Sequence, residues 1–315
     1  MQLVILHKTV RSPACGARAA FTLILAGCLV GVFLAGPQFV CAADGQARLR
    51  AVIIDGQNNH NWKGTTPVLR KIIEDTELFQ VDVVTSPASG QPMDAFKPDF
   101  ARYQVVMLNY NGDDWPPAIH EAFVRYMRNG GGLVVQHGSD NTFPKWAEFN
   151  EMIGVGGWGG RDEKSGPMIY WRDGKLVEDT RPGPGGSHGA QTPFQVIIRD
   201  RKHPITADLP GVWMHASDEL YSKLRGPAKN MTLLATAKGD PAQGATGENE
   251  PVLMALHYGK GRIFHTTMGH DVPQLHCVGF IVTLQRGIEW AATGKVTNTR
   301  IPSDSPGPDK VSTRP

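Results

Sequence analysis

Cysteine is nearly missing from the body of this 315-residue chain: Cys15, Cys28 and Cys41 fall within the first 42 residues, which leaves Cys277 alone. A single thiol can form neither an internal disulfide nor a Cys-x-x-Cys metal knuckle, so the fold must be held by its core. Cys277 itself lies in an apolar helical pattern and reads as buried and inert. No His-Glu-x-x-His pattern occurs, so a metal site would have to be assembled from distant loops. Ser139 sits in Gln136-His137-Gly138-Ser139-Asp140, without the flanking glycines of a nucleophile elbow, which argues against a serine hydrolase. A basic surplus is also lacking: 32 Lys+Arg stand against 30 Asp+Glu. No basic stripe points to nucleic acid. Internal repeats are absent as well.

Long apolar runs are confined to the N-terminus. Lys8, Arg11 and Arg18 precede an apolar stretch from Ala19 to Ala35, and small residues follow at Cys41-Ala42-Ala43. This order predicts a secretory signal over residues 1–42, cleaved near Ala42, and an exported protein. The same stretch is at the short end of the roughly 17–25 residues that span a bilayer, so a retained membrane anchor is the alternative. Leu25-Ala26-Gly27-Cys28, which looks like a lipoprotein cleavage box, ranks third because the sequence stays apolar after it. Without its three basic leader residues the chain is near neutral.

With 41% apolar and 20% charged residues, the remainder has the composition of a globular domain rather than a disordered chain. Leu49 to Ile54 reads as a strand, Thr65-Thr66-Pro67 as the start of a helix reaching about Phe79, and Val81 to Val84 as a second strand. Tyr103 to Leu108, a helix over about Pro117 to Arg128, and Leu133 to Val135 repeat the pattern. Such alternation predicts a doubly wound, mostly parallel α/β sheet in a single domain over residues 48–294. Gly154 to Thr192, rich in glycine and proline, breaks the rhythm as a long insertion over the sheet edge. Strands resume at Phe194–Ile198, Thr232–Thr236, Val252–His257 and Gly261–Thr267, with Gly259-Lys260-Gly261 as a hairpin turn. A helix over about Val272 to Trp290 follows, and residues 295–315 read as a disordered tail.

Four of the strand-like runs end in polar clusters, and in an open α/β sheet such clusters meet in one crevice. After the first run come His60 and Trp62; after the third, Asn109, Asn111 and Trp115; then His137; and last His270-Asp271. His137, His270 and Asp271 are the candidates for acid–base work, with Gly269 allowing close approach of a ligand. Asp218 and Glu219, side by side, are further catalytic candidates: they could bind a cation, or one could act as base while the other orients a histidine, or they could merely open a helix capped by Ser217. His60, Trp62, Asn109, Asn111, Trp115, Tyr221 and, on the insertion, His188 are read as substrate contacts. Should a divalent metal bind, His60, His137 and His270 are its candidate ligands. His120, His215, His257, His265 and His276 are read as surface or satisfied core, and His203-Pro204 as a turn.

In order, His60-Asn61-Trp62, Val106-Met107-Leu108-Asn109-Tyr110-Asn111-Gly112, Gly130-Gly131-Gly132-Leu133-Val134-Val135-Gln136-His137, His203-Pro204-Ile205-Thr206, Asp218-Glu219-Leu220-Tyr221, Gly259-Lys260-Gly261-Arg262 and Gly269-His270-Asp271 resemble the ThuA-like family. That family is named for a trehalose-utilisation protein. The resemblance implies a flavodoxin-like fold akin to class I glutamine amidotransferases, with His137 where those enzymes carry a cysteine. It implies a role in carbohydrate metabolism, with keto-sugars made by partner dehydrogenases as substrates. The expectation is an exported enzyme acting on a sugar or keto-sugar as isomerase, lyase or hydrolase. The alternatives are a non-catalytic carbohydrate-binding module, using Trp62, Trp115 and Trp158, and a scaffold for a sugar dehydrogenase.

Overall fold

A computed structural model describes residues 47–315; the expected signal, anchor or lipidation segment lies outside the described residues. Its elements run β1 (Leu49–Asp55), α1 (Trp62–Glu74), β2 (Phe79–Thr85), β3 (Val105–Leu108), α2 (Pro117–Arg128), β4 (Gly132–Gln136) and α3 (Ala147–Ile153). They continue with β5 (Met168–Arg172), β6 (Lys175–Asp179), β7 (Thr192–Ile198), β8 (Val212–Asp218), β9 (Met231–Lys238), β10 (Asn249–Tyr258), β11 (Gly261–Thr266), α4 (Val272–Leu275) and α5 (Val278–Thr293). Nine strands form one sheet in the order β2-β1-β3-β4-β11-β10-β9-β7-β8. The first five are parallel to their neighbours and the remaining pairings are antiparallel.

The sheet is covered on both faces, so its central strands are apolar on both sides. Along β1, Ala51 and Ile53 face a core shared with α1 and α5, whereas Val52 and Ile54 face one shared with α2 and α3. This two-sided burial is what makes the doubly wound fold legible as continuous apolar runs. Because three successive antiparallel pairings separate β11, β10, β9 and β7, and a fourth joins β8, strand β8 runs in the same sense as β11. Its end at Asp218 therefore reaches the same sheet edge as the ends of β1, β3, β4 and β11.

Several boundaries differ from the sequence reading. Helix α1 begins at Trp62, with Asn61 accepting a bond from the Gly64 N–H, and Pro67 lies inside it rather than at its start. The expected closing helix is broken at His276 and Cys277 into α4 and α5. The insertion carries its own hairpin, β5 with β6. Strand β8 has no counterpart in the sequence reading, and Ser217 to Tyr221 ends a strand rather than opening a helix.

The tail, read as disordered, is instead docked. The Val278 N–H donates to Ser312 O at 2.9 Å, the Arg314 N–H to His276 O at 2.9 Å, and the Met214 N–H to Gly307 O at 2.8 Å. Edge strand β8 and the broken helix leave backbone donors and a carbonyl without partners, and the tail satisfies them.

Candidate metal centre

Four loops bring four side chains together at the common strand edge. His60 follows β1, His137 follows β4, Glu219 follows β8 and His270 follows β11. One ligand atom from each lies within 4.8 Å of all the others. Glu219 Oε2 is 3.0 Å from His270 Nδ1, 3.7 Å from His137 Nε2 and 4.0 Å from His60 Nε2. His137 Nε2 and His270 Nδ1 are 3.3 Å apart. Gly138 permits this crowding: a Cβ there would lie 2.5 Å from His60 Nδ1. His137 itself adopts a φ of 42°, a left-handed conformation that is uncommon outside glycine.

The far nitrogens fix the tautomers. His137 Nδ1 is 2.7 Å from Thr267 O, a carbonyl that can only accept, so Nδ1 carries the hydrogen and Nε2 presents a lone pair. His60 Nδ1 is 3.0 Å from Asn58 Oδ1, which also accepts from the His60 backbone N–H at 3.1 Å, so here too Nε2 is left as the lone-pair atom. Ligating histidines characteristically donate their other N–H to an oxygen in this way. Burial, together with the crowding of the His137 and His270 imidazoles, pushes His60 down to about 4 and keeps it neutral. Burial alone would raise the Glu219 carboxyl, but the imidazoles of His137 and His270 outweigh it and hold the group well below the usual carboxylate range. His270 is raised by its bond to Glu219. Lone pairs and a carboxylate oxygen converging at this spacing repel one another unless a proton or a cation lies between them. A three-histidine, one-carboxylate donor set fits a divalent transition metal.

Asp218 does not face the cluster. It is fully buried, accepts from the Gly269 N–H at 2.7 Å and the His270 N–H at 3.2 Å, and pairs with His215 Nε2 at 2.8 Å. Of the two readings for the acidic pair, Glu219 takes the cation-facing place and Asp218 positions the loop of His270. Burial would lower His215, yet the Asp218 carboxylate lifts it to about 9. Histidine 215, given a default reading from sequence, is thus part of the support.

A cavity of about 490 Å³ opens over the cluster, lined by Asn59, Asn111, Asn141, Trp158, Gly159, His188 and Tyr221 besides His60, Glu219 and His270. Tyr221 stacks on His137 with centroids 4.2 Å apart, and its hydroxyl is 3.3 Å from His60 Nε2. Burial and the nearby carboxylates raise the phenol well above its ordinary value, so it stays protonated. His188 Nε2 is 3.9 Å from Glu219 Oε1, and its Nδ1 donates to Gly189 O at 2.9 Å.

Three substrate-contact candidates fall elsewhere. Trp115 is 2% exposed and packs among Phe96, Phe100, Phe123, Phe143 and Trp146; the aromatic cluster takes its indole inward, away from the rim. Trp62 opens α1, under the Lys63 ammonium, and does not line the cavity. Asn109 is buried and donates to Thr65 Oγ1 at 2.9 Å and Thr66 Oγ1 at 3.0 Å, so it ties β3 to α1. Asp271, expected in acid–base work, caps α4 and accepts from Asn61 Nδ2 at 3.0 Å. Ser139 donates to Leu108 O at 2.8 Å and accepts from the Tyr110 N–H at 3.1 Å, a structural role. Asn59 and Asn141 were not singled out in the sequence.

The family described as ThuA, trehalose utilisation, matches residues 50–291. A solved structure of a ThuA-like protein from Parabacteroides merdae is similar at 46% identity and a TM-score of 0.83, over 85% of this chain and 98% of that one. Another, from Bacteroides uniformis, has 17% identity and a TM-score of 0.54 over 80% and 95% of the respective chains, a likeness of fold. No curated protein matches.

Proposed function

This chain belongs to the ThuA family, and from that premise we propose that it is an exported enzyme which acts on a sugar or keto-sugar at the cluster of His60, His137, Glu219 and His270, with a divalent metal held by those four residues. Family membership supports a role in carbohydrate metabolism and a small-molecule sugar ligand. The observation that carries the chemical reading is the convergence of two fixed imidazole lone pairs, a third imidazole and a carboxylate within 4.8 Å.

When bound, such an ion polarises a carbonyl and makes the adjacent C–H bond more acidic. The protein then has to move protons with groups that are not ligands. The sequence suggested His137 and His270 for that work, but their lone pairs point at one another and at Glu219. His188 is the free imidazole: its Nδ1 is committed to Gly189 O and its Nε2 faces the cavity. It accepts the proton from the carbon next to the carbonyl. Tyr221, kept protonated, donates to the carbonyl oxygen as charge develops there. A partner sugar dehydrogenase would supply the oxidised substrate.

The test is turnover of a panel of keto-glucosides by metal-loaded protein, followed by NMR in D2O. Loss of hydrogen at the carbon beside the carbonyl, abolished by a chelator, is expected. Binding of the sugars with no exchange and no product would leave a carbohydrate-binding module in place of an enzyme.

A further inference from the structure

We propose that Trp158, on the insertion, is the platform of a second sugar-ring subsite, so that the ligand is a neutral glycoside with one ring over the cluster and another on the indole. The proposal rests on the sugar reading above and goes on to its size and charge. Trp158 lines the cavity on the wall formed by the insertion, next to His188, whose ring centroid is 6.1 Å away. Its backbone has a φ of 48°, and its N–H is held by Gly185 O at 3.0 Å. A bulky residue in this conformation is strained and persists only where its surroundings hold it in place.

The indole is held from two directions. Gly186 packs directly against it: a Cβ on that glycine would lie 2.7 Å from the ring carbons, so only glycine allows the approach. Tyr221 meets it edge to face with centroids 4.7 Å apart. Trp158 is therefore a pre-set aromatic surface in the cavity that His60, Glu219 and His270 also line. Sugar rings stack on such surfaces through their C–H faces while their hydroxyls seek polar partners.

Those partners are present. Asn59, Asn111 and Asn141 line the cavity with carboxamides, which both donate and accept as hydroxyls require, and Asn111 Nδ2 is braced on Asn59 Oδ1 at 2.7 Å. No Lys or Arg lines this cavity among the described residues, so on the Trp158 side, away from the cluster, no fixed positive charge awaits a phosphate or a uronate. At about 490 Å³, the space lies within the roughly 300–1,000 Å³ of pockets that enclose drug-sized ligands, more than a single ring needs.

The experiment is calorimetric titration of the full, metal-loaded chain with methyl α-glucoside and methyl α-maltoside, in the native sequence, Trp158→Ala and Trp158→Phe, with metal content measured alongside. Expected is at least a tenfold preference for the two-ring glycoside in the native chain, lost in Trp158→Ala, largely kept in Trp158→Phe, with metal content equal in all three. An unchanged preference in Trp158→Ala, or equal affinity of the native chain for one and two rings, overturns the subsite while leaving the sugar reading intact. Failure of the native chain to bind either glycoside also overturns the subsite, whereas the sugar reading falls with the keto-glucoside panel above.

Discussion

Glu219 and His270 meet at 3.0 Å between Oε2 and Nδ1, although the two residues stand at the ends of strands separated in the sheet by β10, β9 and β7. Their meeting depends on β8 running in the same sense as β11, and it closes the donor set begun by His60 and His137. Glu219→Gln keeps the shape and removes the negative charge. Divalent-metal affinity is expected to fall by at least 100-fold, measured by competition with a chromophoric chelator, while the thermal midpoint of the metal-free protein changes little.

Support around the ligands should be measurable too. Asn58 Oδ1 fixes the ring of His60 through Nδ1 at 3.0 Å. Partners of this kind are worth roughly 10–100-fold in metal affinity, so Asn58→Ala should weaken binding by that factor without abolishing it. Equal affinity in the two proteins would show that the ring needs no such anchor.

His188→Ala separates proton transfer from metal binding. Its side chain is 41% exposed, so removing it leaves room for a small molecule. Turnover of a keto-sugar is expected to drop by about 10²–10⁴-fold. Metal content should be unchanged, and added imidazole should restore part of the rate. Loss of metal in this variant would make His188 a ligand instead.

The buried His215–Asp218 pair predicts an alkaline limit to stability. His215 is raised to about 9 in the folded chain against an ordinary 6.5, so the folded state holds a proton that the unfolded chain releases over that interval. Its contribution is complete below pH 6.5 and is lost as pH rises through about 9. Denaturant midpoints of the metal-free protein should decline across that window, and Asp218→Asn should flatten the decline. A profile with the same slope in both proteins would remove the pair as its source.

Trp115 gives the contrary case, a residue of the strand edge with no part in the site. Trp115→Ala should cost about 3–5 kcal/mol of stability, as expected for emptying an aromatic core position. Metal affinity of the folded fraction should not change.

The sheet edge was legible because β1, β3, β4 and β11 are apolar on both faces and end abruptly in polar residues, which fixed where His60, His137 and His270 would meet. Strand β8 was not legible. Its inward positions alternate correctly, Trp213 and His215 being buried, but a histidine at an inward position hides the pattern. Missing it left Asp218 and Glu219 interchangeable, whereas the fold gives them opposite duties. Trp115 misled because proximity to a strand end says nothing of where an indole turns, and the aromatic residues that capture it are distant in sequence. Asn59 and Asn141 carry no local signal beyond lying next to residues that did.

The most direct test is the metal content of the full chain after dialysis against manganese, iron, nickel or zinc and then against metal-free buffer. One divalent ion per chain is expected, absent from a His60→Ala, His270→Ala double variant that remains folded. A native chain that retains no ion, or a double variant that retains as much as the native chain, would contradict it.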